Sequence, residues 1–367
     1  MGTFPFHRHA AMPRTTPHRA TILQVAREAG VSKTSVSRYF SDERARLSRD
    51  MQSRIASAAR RLSYHPNQMA RGLKGGRSQL IGMLVADIRN PFSVAVMHGV
   101  EQACRERGFS LLVCNTDNDP AQEREHLALL ASYRVEGLVI NAAGQPSREL
   151  RALAAQGTPL VLLDRMLSDF EADVVGLDNT QTIDMALDHL RQQGYDNVLY
   201  LSEPVAQASS RQARLKHFEQ RLADDPTLRG EAHSLALAED NRLQDVIAGF
   251  LSQASGSAPA ILCGNGNVTL AVAHALQARG ARLGEIGLLG IDELEWCNLV
   301  GPGITTLAQP TDAIGRAAVH NLLQRLEEPQ RQAPPKRTHY QARLILRGST
   351  CRPNTPDQYD SVSQERP

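Results

Sequence analysis

The 367-residue sequence is poor in cysteine and aromatic residues and has no long apolar run. Its five cysteines (Cys104, Cys114, Cys263, Cys297, Cys351) are odd in number and never spaced Cys-x-x-Cys. That excludes a disulfide framework and a zinc knuckle and leaves reduced thiols that mostly fill the core. The longest apolar stretches, such as residues 80–86, fall far short of the ~20 residues a membrane helix needs, so no membrane partner is expected. The N-terminal stretch is broken by Pro, His and Arg and offers no apolar secretion segment, which makes the cytoplasm the expected location. Catalytic signatures are missing too. There is no Gly-x-Ser-x-Gly elbow, no Gly-x-x-x-x-Gly-Lys-[Ser/Thr] loop and no His-Glu-x-x-His helix, and the Gly264-Asn265-Gly266 run stops short of a dinucleotide fingerprint. The 12 histidines form no spaced ligand set. The expectation is a protein that is not an enzyme and needs no metal or cofactor.

What is present is a division of charge. Residues 1–78 hold 15 Lys and Arg against four Asp and Glu, whereas the rest of the chain is net acidic. A basic head on an acidic body suggests a polyanion-binding module joined to a different one, because neutralising phosphates takes clustered Lys and Arg. A solvated basic tail is the alternative, and the pattern of the head decides against it. After a Pro/His/Arg-rich leader (1–18), expected to be disordered, Thr21 is placed to cap a helix whose face is Ile22, Val25, Ala26 and Ala29, and Gly30 supplies the left-handed stop. Ser32 then caps a second helix with Val36, Tyr39 and Phe40 on its apolar face and Lys33, Thr34, Ser35, Ser37 and Arg38 on the others. That is a helix-turn-helix, in which the start of the second helix reaches base edges in the major groove. Lys33 and Thr34 are the readout candidates; Ser32, Ser35, Ser37 and Arg38 divide between phosphate and base. A third helix, capped by Ser48, presents Met51, Ile55, Ala58, Ala59 and Leu62 as its buried stripe.

The string Thr21-Ile-x-x-Val-Ala-x-x-Ala-Gly-Val-Ser, followed by Leu62-x-Tyr-x-Pro-Asn-x-x-Ala-x-x-Leu-Lys, resembles the DNA-binding region of the LacI/GalR family of bacterial transcription regulators. The resemblance implies that Thr21 belongs to the DNA surface. It also implies a hinge helix that starts at Asn67, turns Met69 and Ala70 toward the dimer mate or the groove, drives Leu73 between base steps and places Lys74 in the minor groove. Gly72 departs from a good helix former at a cost of roughly 1 kcal/mol, which suits a hinge that folds on binding.

From residue 80 onward, short apolar strands alternate with amphipathic helices, the mark of parallel sheets with crossover helices. One run extends from 80 to 164; a second begins with the strand at 174–179 and continues to 292. This body resembles the family's periplasmic-binding-protein-like core. The fold class is therefore an all-α helix-turn-helix head plus an α/β core of two doubly wound parallel-sheet lobes. The expected organisation is leader 1–18, head 19–65, hinge and linker 66–78, core 79–350 and disordered tail 351–367. By the resemblance, 311–326 returns to the first lobe and 342–346 adds the last strand of the second.

Ligands of open parallel sheets sit beyond the carboxyl ends of the strands. Strand ends and the family's effector positions together select Phe92, Asn141, Asp164, Arg165, Ser210, Arg214, Asn265, Asp292 and Trp296, the only tryptophan, as a ring cover. Gly266 stands where many relatives carry an aspartate, which puts the local cap there in question. Two arginines at one cleft favour an anionic sugar, and stretches such as PNQMARGLK and GPGIT are similar to the sugar-acid branch, regulators of gluconate or ketogluconate use. The expected partners are an operator duplex, a small sugar or sugar acid and a second copy of the chain in a homodimer. A neutral sugar, or a ligand that acts as corepressor, is the alternative.

Overall fold

The computed structural model describes residues 20–65, 77–206, 208–237, 240–254, 256–328 and 333–352. The leader, the hinge residues Asn67, Met69, Ala70, Leu73 and Lys74, and most of the expected tail lie outside them. Contacts divide the chain after Ser78 into two units.

In the first unit, α1 (Ile22–Ala29) opens on a reciprocal cap: the Thr21 side chain accepts from the Gln24 amide, and the Gln24 side chain accepts from the Thr21 amide at 2.7 Å. It closes at Gly30, whose φ of 59° is the left-handed conformation expected there. Arg54 of α3 (Arg49–Arg61) donates to the Ala29 and Gly30 carbonyls, satisfying acceptors that the helix end leaves open. Ser32 caps α2 (Lys33–Tyr39), and Val25, Val36, Ile55 and Ala58 are fully buried where the helices meet. Met51, expected in that core, is 37% exposed; the stripe on α3 begins a turn later at Ile55, because Ser48 and Met51 form the capping turn.

The second unit holds two six-stranded sheets. The first contains β1 (Leu80–Val85), β2 (Ser110–Asn115), β3 (Gly137–Ile140), β4 (Leu160–Leu163), β5 (Asp173–Leu177) and β11 (Arg337–Tyr340), in the order β11-β5-β4-β3-β1-β2, all parallel. The second contains β6 (Asn197–Ser202), β7 (Arg229–Ser234), β8 (Pro259–Cys263), β9 (Gly287–Ile291), β10 (Thr305–Ala308) and β12 (Arg343–Ile345), in the order β12-β10-β9-β8-β6-β7, with β12 antiparallel. The helices α4 (Pro91–Glu106), α5 (Pro120–Ser132), α6 (Arg148–Ala155) and α11 (Thr311–Glu327) cover the first sheet, and α7 (Asn179–Gln192), α8 (Ser209–Asp224), α9 (Asp240–Gln253) and α10 (Gly266–Ala278) the second. The chain crosses between lobes after β5, after β10 and after β11, so α11 returns to the first lobe and β12 ends in the second, as the resemblance implies. One strand is placed differently from its sequence reading. Residues 173–177 pair with β4 and belong to the first lobe, and the crossing follows at Asp178.

Four of the cysteines are buried and all five are free. Burial pushes the Cys104 thiol up to about 12, which leaves it inert at neutral pH. The core continues past residue 350. Arg352 donates to the Gly194 carbonyl at 3.0 Å and its guanidinium lies 5.9 Å from the Tyr195 ring centroid, so the first two residues of the expected tail are anchored.

A hydroxyl network ties that end down: His189 Nε2 lies 2.8 Å from Thr350 Oγ1, which lies 2.7 Å from Thr305 Oγ1. Burial depresses the His189 imidazole to about 4 from an ordinary 6.5. The folded protein holds it neutral while the unfolded chain takes up a proton below pH 6.5. Its contribution is therefore complete above pH 6.5 and lost as pH falls toward 4, up to about 3 kcal/mol. Urea melts of the wild type should show that loss between pH 6.5 and 4, and His189→Gln should flatten it; an equal acid slope in the variant would exclude His189 as its source.

Candidate functional site

On the head, Lys33, Thr34, Ser37 and Arg38 are exposed on one short helix, as a reading surface requires. Arg38 is partly compensated, with Nε 3.3 Å from Glu43 Oε2. The hydroxyls of Ser32 and Ser35 lie 3.0 Å apart, and the Ser35 amide donates to Ser32 Oγ at 3.0 Å. Together with Thr21, these groups hold the helix starts in shape; the exposed side chains after them carry the free donors.

In the core, eight of the nine cleft candidates line one cavity at the carboxyl ends of the strands: Phe92, Asn141, Asp164, Arg165, Ser210, Arg214, Asn265 and Asp292. Trp296 does not. It lies in the 3-10 turn Glu295–Asn298, where the adjacent Cys297 is fully buried and the indole packs on the apolar cluster of the second lobe. The Asp292 backbone is in the left-handed region, at φ 85°, four residues before the tryptophan.

The two lobes meet through hydrogen bonds from the start of α8. Ser210 Oγ donates to Asp164 Oδ2 at 2.7 Å, and the Met166 amide donates to Ser209 Oγ at 2.7 Å. Asp164 sits in the left-handed region at φ 60°, and Gly176 leaves room for it, since a Cβ at 176 would lie 3.1 Å from Asp164 Cα. The cavity volume is about 40 Å³. That is room for a few waters and not for a six-carbon sugar acid, so admitting one requires the lobes to part.

Each lobe holds one buried arginine at the cavity. Arg165, 7% exposed, uses Nη1 to reach Asn118 Oδ1 at 2.9 Å and the Ala142 carbonyl at 2.7 Å. Burial pushes it down to about 10, against the raising effect of Asp164. Arg214, 4% exposed, donates from Nε to Asn179 Oδ1 and from Nη1 to the Gly264 carbonyl, both at 2.7 Å. Asp292 accepts from the Gly266 amide at 2.9 Å and from the Gln309 side chain at 2.6 Å; burial raises its carboxyl above the usual range, and Arg214 opposes the shift. Asn265 caps α10 through the Val268 amide and donates to Glu203. The cap at Gly266 is thus supplied by Asn265 and Asp292, and a Cβ at 266 would stand 2.6 Å from Cδ1 of Leu294, a side-chain end that can swing aside.

The sequence reading missed Asn118, Arg211 and Gln309, which also line the cavity, and Glu203, which pairs with Arg211 at 2.7 Å. Buried oxygens of Asp164 (Oδ1) and Gln309 (Oε1) have no hydrogen-bond partner among the described residues. They are acceptors placed for hydroxyl donors. No grouping of His, Cys, Asp and Glu suited to a metal occurs among the described residues, and no helix there is long and apolar enough to cross a membrane.

Comparison with known proteins agrees with this two-part plan. Residues 21–67 match the family model described as bacterial regulatory proteins, lacI family, and residues 78–347 match periplasmic binding proteins and sugar binding domain of LacI family. The chain is 52% identical to the HTH-type transcriptional regulator PtxS of Pseudomonas aeruginosa over 90% of this chain and 96% of that protein. It is 38% identical to the HTH-type transcriptional regulator KdgR of Bacillus subtilis over 92% of this chain and all of that protein. Among solved structures, the Lac repressor dimer bound to operator and the anti-inducer ONPF shares the fold, with a TM-score of 0.75 at 22% identity over 90% of this chain and 99% of that one.

Proposed function

The chain belongs to the LacI family of bacterial regulatory proteins, as a ligand-responsive DNA-binding repressor and not an enzyme, and on that premise we propose that its effector is a small sugar acid, 2-ketogluconate or gluconate, held in the interlobe cleft. The observation that carries this is the pair of buried guanidiniums, Arg165 and Arg214, whose hydrogen bonds go to uncharged oxygens. A buried cation without a directly bonded counter-ion is costly, and a carboxylate that reaches it gains a charge-assisted bond where water is largely excluded. Asp164 Oδ1 and Gln309 Oε1 are then the acceptors for the sugar hydroxyls.

In this reading a homodimer, joined through the core lobes, places two heads on the half-sites of a pseudo-palindrome, and Leu73 of each hinge bends its centre. Exposed apolar side chains at Val94 (43%), Leu270 (42%) and Leu299 (80%) are available for the core contact. The effector parts and then recloses the lobes around itself, and it shifts DNA affinity only by its different affinity for the two arrangements. We infer release. The test is calorimetric titration of the full chain with 2-ketogluconate, gluconate and glucose, alongside anisotropy of a labelled duplex selected from a randomised pool. Saturable binding of a sugar acid, absent with glucose and accompanied by duplex release, supports the reading; equal binding of glucose overturns the charge assignment, and tighter DNA binding overturns release.

The head gives a separate prediction. Lys33→Ala should alter base preference, whereas Arg38→Ala should weaken all sequences alike and lower the salt slope by about one. Identical selection profiles for the two variants would contradict that division.

A further inference from the structure

The cleft contains three arginines, and they are held in two different ways. Arg211 donates to Glu203 Oε2 at 2.7 Å, an ion pair that uses up its charge. Arg165 and Arg214 are instead each held by one asparagine side chain and one backbone carbonyl: Asn118 with Ala142, and Asn179 with Gly264. The same arrangement occurs once in each lobe. Among the described residues no carboxylate comes within ion-pair distance of either guanidinium, although Asp164 and Asp292 act on them through space.

Both holders are fixed by their surroundings. Asn118 follows Asp117, and both adopt left-handed backbone, at φ 56° and 49°, while the Asn118 amide donates to the Ala86 carbonyl at 2.7 Å. Asn179 donates from Nδ2 to the Leu177 carbonyl at 3.3 Å, which turns its Oδ1 toward Arg214. An aspartate could accept the same arginine bond more strongly. It would also pair with the cation, as Glu203 does with Arg211, and leave less positive charge for a ligand.

We propose that Asn118 and Asn179 are positioning residues that determine charge specificity: they orient Arg165 and Arg214 without neutralising them, so both cations remain available to one anionic ligand. This rests on the sugar-acid reading of the cleft. Two substitutions separate the charge role from a structural one. Asn118→Asp keeps size and acceptor and adds a negative charge; Asn118→Ser shortens the side chain and adds none. A holder that only orients the arginine is served better by Asp than by Ser. A holder that must stay neutral gives the opposite order.

The experiment is calorimetric titration of the full chain with gluconate and 2-ketogluconate, in wild type, Asn118→Asp and Asn118→Ser, with the pair Asn179→Asp and Asn179→Ser as a second series should a variant at 118 fail to fold. Thermal melts and DNA binding without ligand report on folding. The expected result is a loss of about tenfold or more for each Asp variant and about threefold for each Ser variant, a difference set by one added charge near the guanidinium. Asp variants that bind as well as or better than Ser variants, while the wild type binds sugar acid, overturn this assignment alone. A wild type that binds neither acid overturns the sugar-acid reading and the assignment with it.

Discussion

Replacing Arg214 by alanine is expected to weaken sugar-acid binding by a factor of about one hundred or more. The guanidinium is 4% exposed, and its Nε and Nη1 are fixed by Asn179 and Gly264, so the fork is held in place before the ligand arrives. A buried charge-assisted pair of this kind contributes about 2–5 kcal/mol when one partner is removed, and each 1.4 kcal/mol is about tenfold in affinity. The substitution also leaves Asn179 Oδ1 and the Gly264 carbonyl without their donor. That second cost is present with and without ligand, so it lowers stability rather than affinity. The two effects are measured separately, by calorimetric titration and by a thermal melt. Arg214→Lys should recover only part of the affinity, because an ammonium cannot bridge the same acceptors and a carboxylate as a planar fork does. DNA binding without ligand should persist in both variants while release by sugar acid is lost. Affinity of Arg214→Ala within a few-fold of wild type would remove Arg214 from the site.

Much of this was readable in the sequence wherever the physics is local. The spacing Thr21-x-x-Gln24, the glycine at 30 and the serines at 32 and 48 are capping signals that act within one turn, and the helices begin and end beside them. Strand ends placed Phe92, Asn141, Asp164, Arg165, Asn265 and Asp292 at the cleft because each sheet directs them to one side, whereas Ser210 and Arg214, on α8, came only from the family resemblance. The failures are non-local. Residues 173–177 form a buried strand like any other, and only pairing with β4 reveals its lobe. The strands β7, β10 and β11 went unread: β7 and β11, RGEAHS and RTHY, are half-solvated edge strands without the apolar run that marks a central one, and β10, TTLA, is central but only four residues long and half threonine. Asn118 reaches the cleft from a turn, Gln309 follows the carboxyl end of β10 and was missed with that strand, and Glu203 matters only because Arg211 of α8 folds onto it. Trp296 was misplaced by the opposite error, since closeness to Asp292 in sequence was taken for closeness in space.

Substituting Gly315 by alanine separates helix propensity from packing with the sign of its effect. Alanine in a helix interior is favoured over glycine by about 1 kcal/mol, so propensity alone predicts stabilisation. At this position α11 lies directly on α4: a Cβ at 315 would stand 2.5 Å from the Val96 carbonyl oxygen and 2.8 Å from the Val100 amide nitrogen. The closeness is mutual, because a Cβ at Gly99 would lie 2.7 Å from the Asp312 carbonyl oxygen. These neighbours are backbone inside a helix and cannot swing aside as a side chain could. The helices must separate, and Ile314, Ala318, Val319 and Leu322, all fully or almost fully buried against the first sheet, would lose part of their packing. Overpacking of this kind costs about 1–3 kcal/mol and here outweighs the propensity gain. A thermal melt should therefore show a lower Tm for Gly315→Ala, and a lower one still for Gly315→Val. Because α11 begins two residues after Gln309, the same displacement reaches the cleft, and sugar-acid affinity should fall together with stability. A raised Tm in the alanine variant would mean that the two helices pack less closely than described and that the crossing into the first lobe has slack to absorb a methyl group.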